Sequence, residues 1–118
     1  MKLHSFCHIE WWSTDLEKTR KLLEGLFGWE FQSLSEDYLV FSTPEGPGGG
    51  IFKAEEVNPG SSPLVYILVD HIAPYLEKAE KLGGTIDVPE TEIPGVGRYA
   101  HIKDHDGNIY GLFAGQEG

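Results

Sequence analysis

The sequence predicts an α+β fold built from two βαβββ modules, and three observations lead there. Residues 8–31, HIEWWSTDLEKTRKLLEGLFGWEF, read as a strand, a capped helix, a glycine stop and a second strand. The same order returns at residues 64–86, LVYILVDHIAPYLEKAEKLGGTI. Two landmarks recur at one interval: Asp15 to Asp70 and Gly28 to Gly83 are each 55 residues apart by subtraction. A matched spacing of independent landmarks is the mark of an internal duplication.

The elements follow in chain order. His8, Glu10 and Trp12 alternate with Ile9 and Trp11, the period of a strand. Thr14 and Glu17 are spaced as a capping box, with Asp15 in the first turn near the positive helix end. Leu16, Leu22, Leu23, Leu26 and Phe27 share one face of a 3.6-residue helix. Gly28 stops it, since glycine accepts positive φ cheaply. Strands are expected from Trp29, over Tyr38–Phe41 and over Ile51–Ala54, with a turn at 44–50. The linker is placed at 57–63, VNPGSSP. In the second half, 64–69 is a β-branched and apolar strand ended by Asp70. Ile72, Tyr75, Leu76, Ala79 and Leu82 mark a helical face, and Gly83-Gly84 stops it. Thr85 opens a strand. Pro89 and Pro94 argue for an irregular loop over 87–96, a rim or lid. Strands at 98–103 and 109–114 flank a polar turn at 104–108.

The bulk properties bound the function. The 118 residues suffice for one domain, with module 1 at about 4–56 and module 2 at about 64–114. A formal net charge of −10 excludes a phosphate-binding stripe for nucleic acid and disfavours anionic membrane surfaces. No apolar run approaches the ~20 residues of a membrane helix, and the start of the chain has no signal pattern. Cys7 is the single cysteine, so no disulfide can form within the chain. A cytoplasmic location is expected.

Those two stretches, with GGGIF at 48–52 and IPGVGRYAHIKDHDGNIYGLF at 93–113, resemble the vicinal oxygen chelate superfamily. This is the glyoxalase, bleomycin-resistance and extradiol-dioxygenase group. The resemblance covers residues 4–114. It implies paired, curved mixed sheets that form a cleft, a divalent metal held by four positions, and a homodimer. His8 matches the ligand on the first strand. The other three positions fall at Phe52, Leu64 and Gly111, none with a metal-binding side chain, whereas a site needs about three protein ligands. Glu10, Glu55 and Glu56 are the nearest substitutes, while His105 is expected to face solvent.

The expected function is therefore a small-molecule binder of the bleomycin-resistance type with no metal cofactor. Its lining is expected from His8, Glu10, Trp12, Phe52, Leu64, Tyr66, Leu68 and Ile109, an aromatic and apolar set with a few polar groups. Arg98 is a candidate for an anionic ligand group, and Gly111 leaves room for a ligand or a close strand. Trp11 and Trp12 point to opposite faces. Two alternatives stand beside this reading: a metal-dependent lyase or isomerase of glyoxalase type with a degenerate or relocated metal site, and a non-catalytic interaction module without a ligand. No nucleophile motif or phosphate loop offers a rival chemistry.

Overall fold

The computed structural model describes residues 2–60 and 62–116. The elements are β1 (Ile9–Ser13), α1 (Leu16–Phe27), β2 (Glu30–Ser35), β3 (Tyr38–Ser42), β4 (Gly49–Lys53), β5 (Tyr66–Leu68), α2 (Ile72–Lys81), β6 (Thr85–Ile93), β7 (Gly97–Lys103) and β8 (Ile109–Gly115). This is the expected α+β arrangement, βαβββ twice. The chain divides into two compact units after Val57. The expected linker begins there, and its Ser61 lies outside the described residues.

In the first unit the sheet order is β1-β4-β3-β2. β1 runs parallel to β4, and β3 runs antiparallel to both β4 and β2. Leu22, Leu23 and Leu26 of α1 bury themselves with Phe31, Leu39, Phe41 and Ile51 of the sheet. Phe41 is the hub of an aromatic cluster. Trp29 stacks on it at 4.9 Å between ring centroids, and Trp11 at 6.1 Å. Trp11 is thus on the helix side, and Trp12, 48% exposed, is on the other.

Helix α1 enters one residue later than a Thr14 cap would place it. Asp15 is the N-cap, and its carboxylate accepts from the Lys18 amide at 3.2 Å. Ser13 accepts from the Asp15 amide and from the buried Thr19 hydroxyl, which ties the end of β1 to the helix. Gly28 takes the left-handed C-cap at φ 69°. Strand β4 begins at Gly49, so Gly49 and Gly50 belong to the sheet and not to the expected 44–50 turn.

The second unit repeats the plan with order β5-β8-β7-β6. Ile72, Leu76 and Ala79 of α2 bury themselves with Ala100, Ile102, Tyr110, Leu112 and Ala114. Strand β5 is only three residues long, shorter than the expected 64–69 run. The N-cap of α2 is His71, so the interval from the Asp15 cap is one residue longer than the spacing of the aspartates. The largest departure is the 87–96 segment. Most of it is strand: β6 runs to Ile93, and only 94–96 turn. Pro89 is tolerated because β6 is an edge strand whose pairing slips between Val88 and Thr91.

Candidate functional site

Each sheet buries one face under its helix and leaves the other uncovered by it. Alternation decides which residues lie there. In the first unit they include Glu10 and Trp12 of β1, Tyr38 and Val40 of β3, and Gly50 and Phe52 of β4. His8 stands just before β1 and joins them through Tyr38. In the second unit they are Tyr66 and Leu68 of β5, Tyr99 and His101 of β7, and Ile109, Gly111 and Phe113 of β8.

The two faces correspond position by position. Trp12 and Leu68 each lie three residues before their helix N-cap. Glu10 pairs with Gly50 and Tyr66 with Gly111. Tyr38 opposes Phe52, and Tyr99 opposes Phe113. The first-unit counterpart of Gly111 is therefore Gly50. Phe52, the expected place of that ligand position, lies two residues further along β4 on the same face.

Both glycines lie beneath a tyrosine. A Cβ on Gly111 would meet Tyr66 Cδ1, Cε1 and Cγ at 2.5–2.9 Å, and one on Gly50 would collide with the Tyr38 phenol. Each phenol then reaches an imidazole. Tyr38 Oη lies 2.7 Å from His8 Nε2, and Tyr66 Oη lies 2.7 Å from His101 Nε2.

In the first unit the network extends further. Tyr38 donates to Glu10 Oε1 at 2.9 Å, and Trp12 Nε1–H donates to Glu10 Oε2 at 2.9 Å. Burial, the bond to Glu10 and the charge of Glu10 push the Tyr38 phenol up to about 12. It stays protonated at neutral pH. Trp12 packs against Phe52 at 5.3 Å. In the second unit Tyr66, Tyr99, His101, Phe113 and Ile93 line an open hollow of about 470 Å³.

His8, Glu10, Trp12 and Phe52 are thus brought together, as are Tyr66 and Gly111. Arg98 is not. It alternates to the helix side of β7 and ion-pairs with Glu90 of β6, beside the N-terminus of α2. Leu64 lies just outside β5. Tyr38, Tyr99, His101 and Phe113 also belong to the faces; of these the sequence marks His101 only as a histidine flanking the last hairpin, and Tyr38 and Phe113 carry no local signal. The 55-residue interval of the repeat aligns Tyr38 with Ile93, so only the strand ladders match it with Tyr99.

The donor set does not fit the superfamily's four-position metal site. His8 is the one ligating side chain, and glycines roofed by tyrosine rings stand at both last-strand positions. A second cluster, Asp104, His105 and Asp106, brings three ligand atoms within 4.8 Å of one another. There the Asp104 carboxylate is already committed to its turn. It accepts from the Asp106 and Asn108 amides, from Asn108 Nδ2, and from the buried Tyr110 hydroxyl at 2.7 Å. His105 is exposed, as expected, with Nε2 at 3.0 Å from Asp106.

Duplicated βαβββ units, each with a mixed four-stranded sheet, place the chain by its fold in a known class. The chain belongs to the Glyoxalase/Bleomycin resistance protein/Dioxygenase superfamily, whose model matches residues 5–110. Among solved structures, a glyoxalase-related enzyme from Fulvimarina pelagi is 21% identical at a TM-score of 0.81, over 95% of this chain and 88% of that one. The fosfomycin resistance protein FosX from Listeria monocytogenes is 22% identical at a TM-score of 0.81, over 98% and 96%. FosX from Mesorhizobium loti is 22% identical at 0.79, over 98% and 95%. At such identities the likeness establishes the fold alone. No curated protein matches by sequence. Among the described residues no helix is long and apolar enough to cross a membrane.

Proposed function

We propose that this chain is a metal-free small-molecule binding protein whose ligand contacts come from the aromatic sheet faces. The observation that carries this is the tyrosine ring over the glycine in each unit. A carboxylate at Gly111 would have to displace Tyr66 and its bond to His101. The space of a metal ligand is occupied by a phenol that offers stacking and one hydrogen bond. Such faces suit flat or compact organic molecules. An L. monocytogenes FosX variant was solved with Mn(II) and a dihydroxypropylphosphonic acid, which favours a second reading, a metal-dependent lyase or isomerase built on His8. That reading requires two further ligands on the same face, and only Glu10 is near. A homodimer and a cytoplasmic location complete the proposal.

The test is a thermal-shift screen of small aromatic and amine compounds in the presence of a chelator. A true ligand raises Tm progressively with its concentration over Kd. Absence of any stabilising compound would favour an interaction module and overturn the binding role.

A further inference from the structure

The hydrogen bonds of the first face determine what it has left to offer a ligand. An ionised Glu10 is acceptor-only. The single Tyr38 proton is therefore donated to Glu10 Oε1, and the Trp12 N–H to Oε2. Tyr38 Oη must then accept from its other neighbour, so His8 carries its proton on Nε2. In the neutral imidazole Nδ1 is left as a lone pair. All three donors of the cluster are consumed inside it. What points outward is the remaining lone-pair capacity of a carboxylate, an imidazole nitrogen, and the rings of Trp12, Tyr38 and Phe52.

The charge is not compensated either. Glu10 has only neutral partners, and among the described residues it forms no ion pair. Lys53, the one basic residue in β1–β4, alternates to the helix side with Ile51. The edge strand adds Glu30 and Gln32 to the same face, opposite Ser42 and Val40. Trp12 and Phe52 stay exposed at 48% and 37%. A carboxylate beside exposed aromatic rings is the chemistry that holds an alkylammonium group, by charge and by attraction to the ring faces. An anion meets only acceptors there.

We infer that the face formed by His8, Glu10, Trp12, Tyr38 and Phe52 binds an organic ammonium ion. This rests on the binding role proposed above and names the ligand class for one of the two faces. The equivalent positions of the second unit, with Tyr66 in place of Glu10, carry no such charge.

Three soluble probes of similar shape decide it: choline, the neutral 3,3-dimethylbutan-1-ol and the anionic 2-hydroxyethylphosphonate. Each is titrated into the protein while the indole N–H signal of Trp12, assigned with Trp12→Phe, is followed by NMR. Choline is expected to shift that signal saturably, with the phosphonate giving no saturable change. Glu10→Gln keeps one acceptor oxygen, for Trp12, turns the other position into an NH2 donor facing Tyr38 Oη, and removes the charge; it should weaken choline about tenfold or more. Phe52→Leu should weaken it without altering charge. Equal binding of the neutral or anionic probe, or an unaffected Glu10→Gln protein, overturns the ammonium inference and leaves a binding face in place. Absence of saturation with all three probes overturns both.

Discussion

The tyrosine-over-glycine packing makes a quantitative prediction at Gly111. In Gly111→Ala the new methyl would sit 2.5–2.9 Å from three atoms of the Tyr66 ring. One of them is Cγ, near the root of the side chain, so a small ring tilt does not relieve the clash. Tyr66 must rotate away and release His101. Overpacking of this kind costs about 1–3 kcal/mol. The offset is the backbone entropy that alanine saves over glycine in a strand, about 0.5–1 kcal/mol. Taking the middle of each range, about 2 less about 0.75, the net expectation is a loss of about 1 kcal/mol, within about 0–2.5 kcal/mol. For a chain of this size that central value lowers Tm by about 4 °C. With Tyr66→Ala already made, the ring is gone and only the backbone term remains, so Gly111→Ala should then stabilise by about 0.5–1 kcal/mol. The sign of one substitution reverses with the state of its neighbour. Urea or thermal unfolding of the four proteins in this double-mutant cycle reads the coupling directly. Equal effects of Gly111→Ala in both backgrounds would refute the packing argument.

Other substitutions probe the rest of the structure. Tyr110, buried and bonded to Asp104, has its phenol held well above the ordinary value by burial and then by the Asp104 charge. Its folded pKa is raised, so its contribution is intact below about pH 10 and declines above it, by about 1.4 kcal/mol per pH unit, as the unfolded chain ionises first. Tyr110→Phe should flatten the alkaline limb of the stability curve, while losing about 1–2 kcal/mol at neutral pH. Asp15→Ala should cost about 1 kcal/mol as the true N-cap, and Thr14→Ala measurably less by the same melting experiment. Arg98→Ala removes an exposed ion pair worth under about 1 kcal/mol and should leave ligand titrations unchanged, because its side chain lies on the helix side of β7.

Much of the fold was legible because period and punctuation agreed. Leu22, Leu23 and Leu26 announce α1, Gly28 its end, and the repeat announces the second unit. The misplacements have local causes. Thr14 and Asp15 both cap helices well, and only the chain's exit from β1 decides between them. Pro89 argues against a strand until the strand is known to be an edge. Gly49 and Gly50 look like turn residues. Their place in β4 depends on other strands filling the space that their missing side chains leave: the Ile9 carbonyl and the Phe41 ring at Gly49, and the Tyr38 phenol at Gly50. That dependence also hid half of the candidate site. His8, Glu10 and Trp12 are visible from one strand's alternation. Tyr38 and His101 become partners only through the register of β3 on β4 and of β7 on β8, which no local pattern encodes.

Tyrosine rings cover the glycines at both last-strand positions, where a metal site would need carboxylates. Elemental analysis of protein purified without added ions, then dialysed against Mn(II), Zn(II) and Ni(II), tests this most directly. No stoichiometric ion is expected under either condition, and no change on His8→Ala. One ion per chain, lost in His8→Ala, would contradict that expectation.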